Sequence, residues 1–191
     1  MQPKSFRVLA VSSLIAVLAP PALAADYQID PSHSFIEFRT QHFGFSWLSG
    51  RFNSFEGSMA YDPEGSPEDQ SVTITIDAES LDTNHEKRDE HLRSKDFFDV
   101  GSYPTITFTS TGFEGDAEGG TLSGELTFLG VTKEIAFDIR RIGEGEDPWG
   151  KYRAGFEGQY TLSRSDFGMD FDLGPAAEQV ELDLMIEAVR Q

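Results

Sequence analysis

The sequence predicts an all-β fold, an eight-stranded antiparallel β-barrel with one short helical insertion around residues 86–98. Three observations predict it. Apolar and polar residues alternate with period two in one run after another. Short links rich in Gly, Pro and Asp join most of the runs, as at Asp62-Pro63-Glu64-Gly65, Gly119-Gly120 and Gly143 to Gly150. The chain of 191 residues has no cysteine, which excludes disulfide frameworks, thiolate metal sites and cysteine nucleophiles and leaves stability to a packed core. Amphipathic strands that follow one another through short turns pair antiparallel. Closing eight of them into an up-and-down barrel removes the exposed edges that a sandwich, the other arrangement, retains.

Met1 to Ala24 reads as a secretory leader. Lys4 and Arg7 make a positive start, Val8 to Leu18 is apolar, and Ala22-Leu23-Ala24 offers small residues for cleavage after Ala24. The apolar run is shorter than the roughly 20 residues of a membrane span, so the mature domain, 25–191, is expected in the periplasm of a Gram-negative host with no transmembrane segment. Against 15 Lys and Arg stand 33 Asp and Glu, a net charge of −18, which repels polyanions and argues against a nucleic-acid partner.

The strands follow in order. Ser34, Ile36, Phe38, Thr40 and His42 share one face of the first; Phe52 to Tyr61 forms the second. Val72, Ile74 and Ile76 mark the third, Ile106 and Phe108 the fourth, Leu122, Gly124, Leu126 and Phe128 the fifth, and Ile135, Phe137 and Ile139 the sixth. Ala154, Phe156, Tyr160 and Leu162 mark the seventh, and Val180 to Ala188 the last and clearest. Only Leu81 to Asp99 breaks the period, with Asp89 to Ser94 a short helix ahead of Phe97-Phe98. An insertion of this length is either a lid or the packing of one barrel end.

Phe is overused, at 16 residues against two Trp. Phe38, Phe52, Phe108, Phe128, Phe137 and Phe156 fall on inward faces, where they either interdigitate into a closed core or line a dry slot for a lipid chain. Gly57, Gly124 and Gly158 lie within strands and leave room for something else.

The polar residues offer weaker signals. His33, His42, His85 and His91 lack metal-site spacing, since a zincin pair lies four residues apart on a helix and His85 and His91 lie six apart. His42 continues the inward face of Phe38 and reads equally as a head-group contact and as a core histidine. Lys87, Arg88, Arg93 and Lys95 form the densest basic cluster of an acidic chain. They suit a phosphate or quinone head at the barrel mouth, yet the interleaved acids, Asp82, Glu86, Asp89, Glu90, Asp96 and Asp99, offer ion pairs to all four. Arg164, beside Asp166, reads as a structural ion pair more readily than as a ligand contact. Ser32 and His33, adjacent on a strand, would point to opposite faces and make no nucleophile–base pair.

Six blocks in order carry a resemblance: Asp30-Pro31-Ser32-His33-Ser34 leading to Phe38 and His42; Gly50-Arg51-Phe52 with Gly57; Asp82 to Ser94 running on through Asp96-Phe97-Phe98-Asp99 to Tyr103-Pro104 and Phe108-Thr109-Ser110; Gly124-Glu125-Leu126-Thr127; Gly130-Val131-Thr132-Lys133; and Ser163 to Met169. Across the mature chain the sequence resembles the YceI-like family of secreted bacterial proteins. The resemblance implies a lipocalin-like barrel whose pore holds a polyisoprenoid or similar amphiphile, bound non-covalently, with no established catalytic reaction; with the histidine spacing it leaves no metal and no covalent cofactor expected. It also implies prenyl quinone traffic with a membrane cytochrome of the b561 type as partner.

The candidate ligand-binding set is therefore Phe38, His42, Phe52, Asp82, Asn84, Arg88, His91, Leu92, Phe98, Phe108, Leu126, Phe128, Phe137, Phe156, Tyr160 and Arg164. The leading expectation is a carrier of an isoprenoid lipid or quinone. The alternatives are a lipid- or quinone-modifying enzyme using His42 and His91, and a structural barrel filled by its own side chains. Monomer and dimer both remain open.

Overall fold

Two of the eight expected barrel strands prove to be longer than the sequence suggests and cut in half. The computed structural model describes residues 24–191; the expected leader, apart from Ala24, lies outside the described residues. In chain order the strands are β1 (Ala25–Ile29), β2 (Phe35–His42), β3 (Ser46–Phe52), β4 (Phe55–Tyr61), β5 (Ser71–Asp77), β6 (Leu81–Asp82), β7 (Thr105–Asp116), β8 (Gly119–Phe128), β9 (Val131–Glu146), β10 (Tyr152–Ser163) and β11 (Gln179–Arg190), with one α-helix, α1 (Glu86–Arg93), after β6.

β1 and β2 share one edge of β11. β2 follows its first half, from Thr40 opposite Val180 to Phe35 opposite Met185, and β1 follows its end, from Ile29 opposite Ala188 to Tyr27 opposite Arg190. On the other side β3 pairs with β2 and β4 with β1. Each of these two pairs of half-strands fills one position in the ring, and β4, β5, β7, β8, β9, β10 and β11 then pair each with the next, so that eight antiparallel positions close on themselves. The breaks have local causes. Pro31 has no N–H to give a ladder, and the Asp30 carboxylate accepts the Ser32 N–H at 3.0 Å to form a turn. At the second break the Asn53 N–H reaches Ser80 O instead of a strand partner.

The sequence reading missed β1 and β3, whose inward residues are partly small or polar. It also set two turns and one helix end slightly wrong. Gly119 and Gly120 begin β8, and β9 runs through Gly143 to Glu146 before turning at Asp147. Helix α1 starts at Glu86, not Asp89, because His85 caps it: its Nδ1 accepts the Arg88 N–H at 3.2 Å.

Inward burial follows the predicted period. Ile36, Phe38, Phe52, Phe55, Met59, Ile106, Leu126, Phe128 and Ile135 are buried, and the outward residues between them are largely polar and exposed. The insertion carries the wall on where β5 stops. β5 pairs with β4 and β7 and ends at Asp77, and β6 extends the sheet beside β3 through Arg51–Asp82 and Phe52–Leu81. Leu81 is wholly enclosed there.

The strand glycines do not leave room, contrary to expectation. A Cβ on Gly124 would sit 2.4 Å from the Phe108 ring, one on Gly158 would meet Phe137 and Ile139 at 3.3 and 3.2 Å, and one on Gly57 would meet Thr73 O at 2.4 Å. Neighbouring side chains and backbone have already moved into the space.

Candidate ligand-binding site

The barrel is nevertheless hollow. A cavity of about 470 Å³, within the range of small-molecule sites, runs inside it. Ile74, Phe108, Phe137, Phe156, Tyr160, Leu182, Leu184 and Ile186 face inward yet are only half-buried. Their accessible surface is that of an interior space, and the closed-core alternative does not describe it.

Aromatic rings form the wall in two sets. Toward the insertion, Phe38 lies 5.6 Å from Phe52, Phe52 5.9 Å from Phe98, and Phe98 5.4 Å from Phe128. Deeper in the barrel, Phe108 lies 5.6 Å from Phe137, and Phe137 5.9 Å from Tyr160. These separations are those of favourable tilted and edge-to-face pairs. In the first set Phe38, Phe52 and Phe128 are buried and Phe98 partly so; the second stands around the void. Leu126 completes the wall between them.

The insertion end also carries polar groups that reach the cavity. Arg88, His91 and Leu92 of α1 line it, with Arg164 opposite. Arg88 is held by Thr83, donating from Nε to Oγ1 and from Nη2 to the carbonyl, both at 2.6 Å, while Asp89 accepts from the Thr83 N–H and hydroxyl. Arg93 donates to the carbonyls of Glu79 and Leu81. Arg164, 6% exposed, donates to Ala177 O at 3.0 Å and Met169 O at 2.9 Å.

The expectation of ion-paired scaffolding is thus corrected. Among the described residues no carboxylate lies within salt-bridge distance of Lys87, Arg88, Arg93, Lys95 or Arg164; the arginines are positioned by carbonyls and a hydroxyl, which fix direction and leave the positive charge uncancelled.

The two histidines of the enzyme alternative differ. His91 Nε2 lies 2.9 Å from the Asp96 carboxylate, its ring edge-on to Phe97 and Phe171. His42 is exposed at the rim with its ring 4.8 Å from that of Phe43, so it is not a core histidine. Asp82 and Asn84 do not line the cavity, a second correction. They lie on the outer side of the insertion, where the Asp82 carboxylate accepts from Asn53 and from the Asn84 N–H. These bonds hold its carboxyl below the usual range, and Asn84 turns the chain at φ 61°. Nearness in sequence to Arg88 does not put them on its side of the wall. The other fourteen candidates all line the cavity.

Sequence reasoning passed over Met59, Tyr61 and Gln70 at the opposite end, although Met59 and Tyr61 continue the face of Gly57 at period two. It also passed over Phe171 and Leu173, in an aperiodic loop where no sequence signal marks them. Tyr61 is 7% exposed; burial, then the neighbouring Glu144 carboxylate, pushes its phenol up to about 12, so it remains neutral, and its buried hydroxyl has no hydrogen-bond partner among the described residues.

Away from the cavity, Asp30, His33 and Glu187 converge closely enough to suggest a cation site. Arg153 fills it: its Nη1 lies 2.8 Å from Asp30 Oδ2 and 2.6 Å from Glu187 Oε1. Ser32 and His33 lie on a turn rather than the expected strand, and their side chains do meet at 3.1 Å. The contact uses His33 Nδ1, the same atom that meets Asp30, so the imidazole cannot relay a proton between them as a triad requires.

Comparison with known proteins agrees with this architecture. The YceI-like domain profile matches residues 27–188. A UPF0312 protein of Pseudomonas paraeruginosa is 49% identical over 193 residues, covering 100% of both chains. Burkholderia cenocepacia BcnA superposes with a TM-score of 0.74 at 22% identity, over 83% of this chain and 98% of its own. A polyisoprenoid binding domain from Saccharophagus degradans, implicated in plant cell wall breakdown, superposes with a TM-score of 0.65 at 17% identity, over 88% and 99%. The two structures share the fold, and the match of the profile and of the full-length relative shows that this chain belongs to the YceI-like family.

Proposed function

We propose that this protein is a non-enzymatic periplasmic carrier that holds a polyisoprenoid or similar long-chain amphiphile, of the prenyl quinone or prenyl phosphate type, inside the barrel. The observation that carries the reading is the dry aromatic cavity, whose half-accessible wall of Phe108, Phe137, Phe156 and Tyr160 leaves space for a chain. The polar head stands at the insertion end, where Arg88, His91 and Arg164 present donors to it. Each buried methylene contributes about 0.8 kcal/mol, so a five-carbon isoprene unit contributes about 4 kcal/mol. Two to four such units offset an association cost of about 4–15 kcal/mol. The fold shared with a domain named for polyisoprenoid binding supports the reading. A membrane cytochrome of the b561 type is the proposed partner for quinone traffic.

The test is native mass spectrometry, followed by organic extraction, of protein purified without detergent. A stoichiometric apolar adduct is expected, and it names the cargo. Phe156→Arg, which puts a charge into the void, is expected to abolish the adduct while circular dichroism still reports the barrel. An adduct unchanged in the folded variant, or a wild-type protein that holds no lipid and shows no melting shift with prenyl quinones or prenyl phosphates, overturns the proposal.

A further inference from the structure

The turn between β2 and β3 is built in an unfavourable way. The Phe45 N–H reaches His42 O at 2.9 Å, and both central residues have positive φ, 52° at Phe43 and 77° at Gly44, the signature of a type I′ hairpin turn. Asn or Gly suits the first central position; a bulky aromatic there is a genuine outlier. The strain holds an aromatic tip in water. Phe45 is 88% exposed, Phe43 55%, and Trp47, next on β3, 50%. From Thr40 to Gly50 there is no Asp, Glu, Lys or Arg, in a chain of which 25% is charged.

Two further observations say what covers this tip. The apolar surface is continuous with the cavity, because Phe43 and Phe171 both line it and both reach solvent. Formal charge is also distributed unevenly between this hairpin and the turns at the other end of the barrel. At the opposite end the segments 62–70 and 114–118 carry seven carboxylates, of which Glu118 is paired with Arg141, whereas residues 40–50 carry no Asp, Glu, Lys or Arg and Arg39, stacked 4.8 Å over the Trp47 ring beside them, is neutralised by Glu181 at 2.6 Å. An aromatic patch free of formal charge matches the headgroup boundary of a bilayer, whereas the carboxylates of segments 62–70 and 114–118 are repelled by lipid phosphates.

We propose that the Phe43–Trp47 hairpin tip docks the protein on a phospholipid bilayer with the cavity mouth facing the acyl region. The purpose of such docking rests on the carrier reading, but the docking itself is measured on vesicles with no cargo.

The sequence's two Trp residues mark the two ends, Trp47 at the tip and Trp149 on the β9–β10 turn at the other end. The full chain is prepared as Trp149→Phe and as Trp47→Phe and mixed with phosphatidylcholine vesicles carrying brominated acyl chains. Trp47 emission is expected to shift to the blue and fall at least about twofold, unaffected by 0.5 M salt, while Trp149 does not respond. Phe43→Asn relieves the turn, so its melting temperature is expected to hold or rise, yet combined with Phe45→Ser it is expected to weaken vesicle partitioning by roughly tenfold. Quenching of Trp149 equal to or stronger than that of Trp47 overturns the proposal, because Trp149 stands at the far end of the barrel from the tip. Absence of quenching at both, or a double variant that partitions like the wild type, also overturns it. Extracting lipid from the same variants keeps the carrier reading separately testable.

Discussion

The two ends of the barrel are closed by different means. At the insertion end the wall is sealed by rings, Phe38, Phe52, Phe97, Phe98 and Phe128, with arginines braced on carbonyls behind them. At the other end the seam of β1, β10 and β11 is held by Arg153, which spans Asp30, Asp147 and Glu187, and the β7–β8 turn is held to β9 by Arg141, which spans Glu118 and Glu144. Rings slide and repack at little cost in direction, whereas a guanidinium fork holds its carboxylates in one geometry. The difference teaches that a single barrel can keep one end firm and leave the other able to admit an apolar guest.

The largest expected effect sharpens the ring-sealed end. Phe128→Ala removes a 7% exposed ring that packs on Phe98 and Phe167, and is expected to destabilise by about 3–5 kcal/mol in chemical denaturation. Phe156→Ala, already half facing the void, is expected to cost less; equal costs would break the distinction between sealed and open wall.

A smaller effect is expected at Gly50, where a Cβ would lie 2.4 Å from the Phe38 ring and 2.7 Å from the Thr83 methyl of the insertion. Gly50→Ala is expected to cost about 1–3 kcal/mol and to speed hydrogen exchange of α1 before that of β10. Uniform loosening of both ends would count against an insertion that moves independently.

The smallest effect concerns the ionic end. The Ser32 hydroxyl, then Arg153 and His33, hold the Asp30 carboxyl well below the usual range, and Arg153, then the Lys151 N–H, do the same for Asp147. Carboxyls depressed by folding stabilise the protein above their ordinary pKa of about 3.9 and lose that contribution as pH falls further. Wild type is therefore expected to lose melting temperature steeply below about pH 4, and Arg153→Gln to start lower with a flatter acid limb. Parallel acid limbs would show that Arg153 is no organising centre.

The fold was legible wherever one face of a strand is apolar without interruption, as in Val180 to Ala188. It was less legible at Ser46 to Phe52, where Gly50 and Leu48 make a thin inward face, and at Asp30 to Ser34, where a turn interrupts a strand that resumes in register with β11. Within the site, period two placed Phe108, Phe128, Phe137 and Phe156 on the wall, because a strand fixes which side a residue faces. The insertion has no such rule, so Asp82 and Asn84 were placed inside with Arg88 although the chain turns them out. Phe171 lies in a loop whose position depends on Phe97 and His91, residues far away in sequence.

The joining of β1 to the end of β11 has a consequence in time. Ser34 and Glu187, bonded across this seam, are 153 positions apart, and the ring has no closed form until both are present. Pairing of such distant segments is slow and comes after the local hairpins have formed. An enclosed apolar lumen therefore exists only once β11 has paired with both β1 and β2, and loss of its final residues would cost the vessel and not merely its stability.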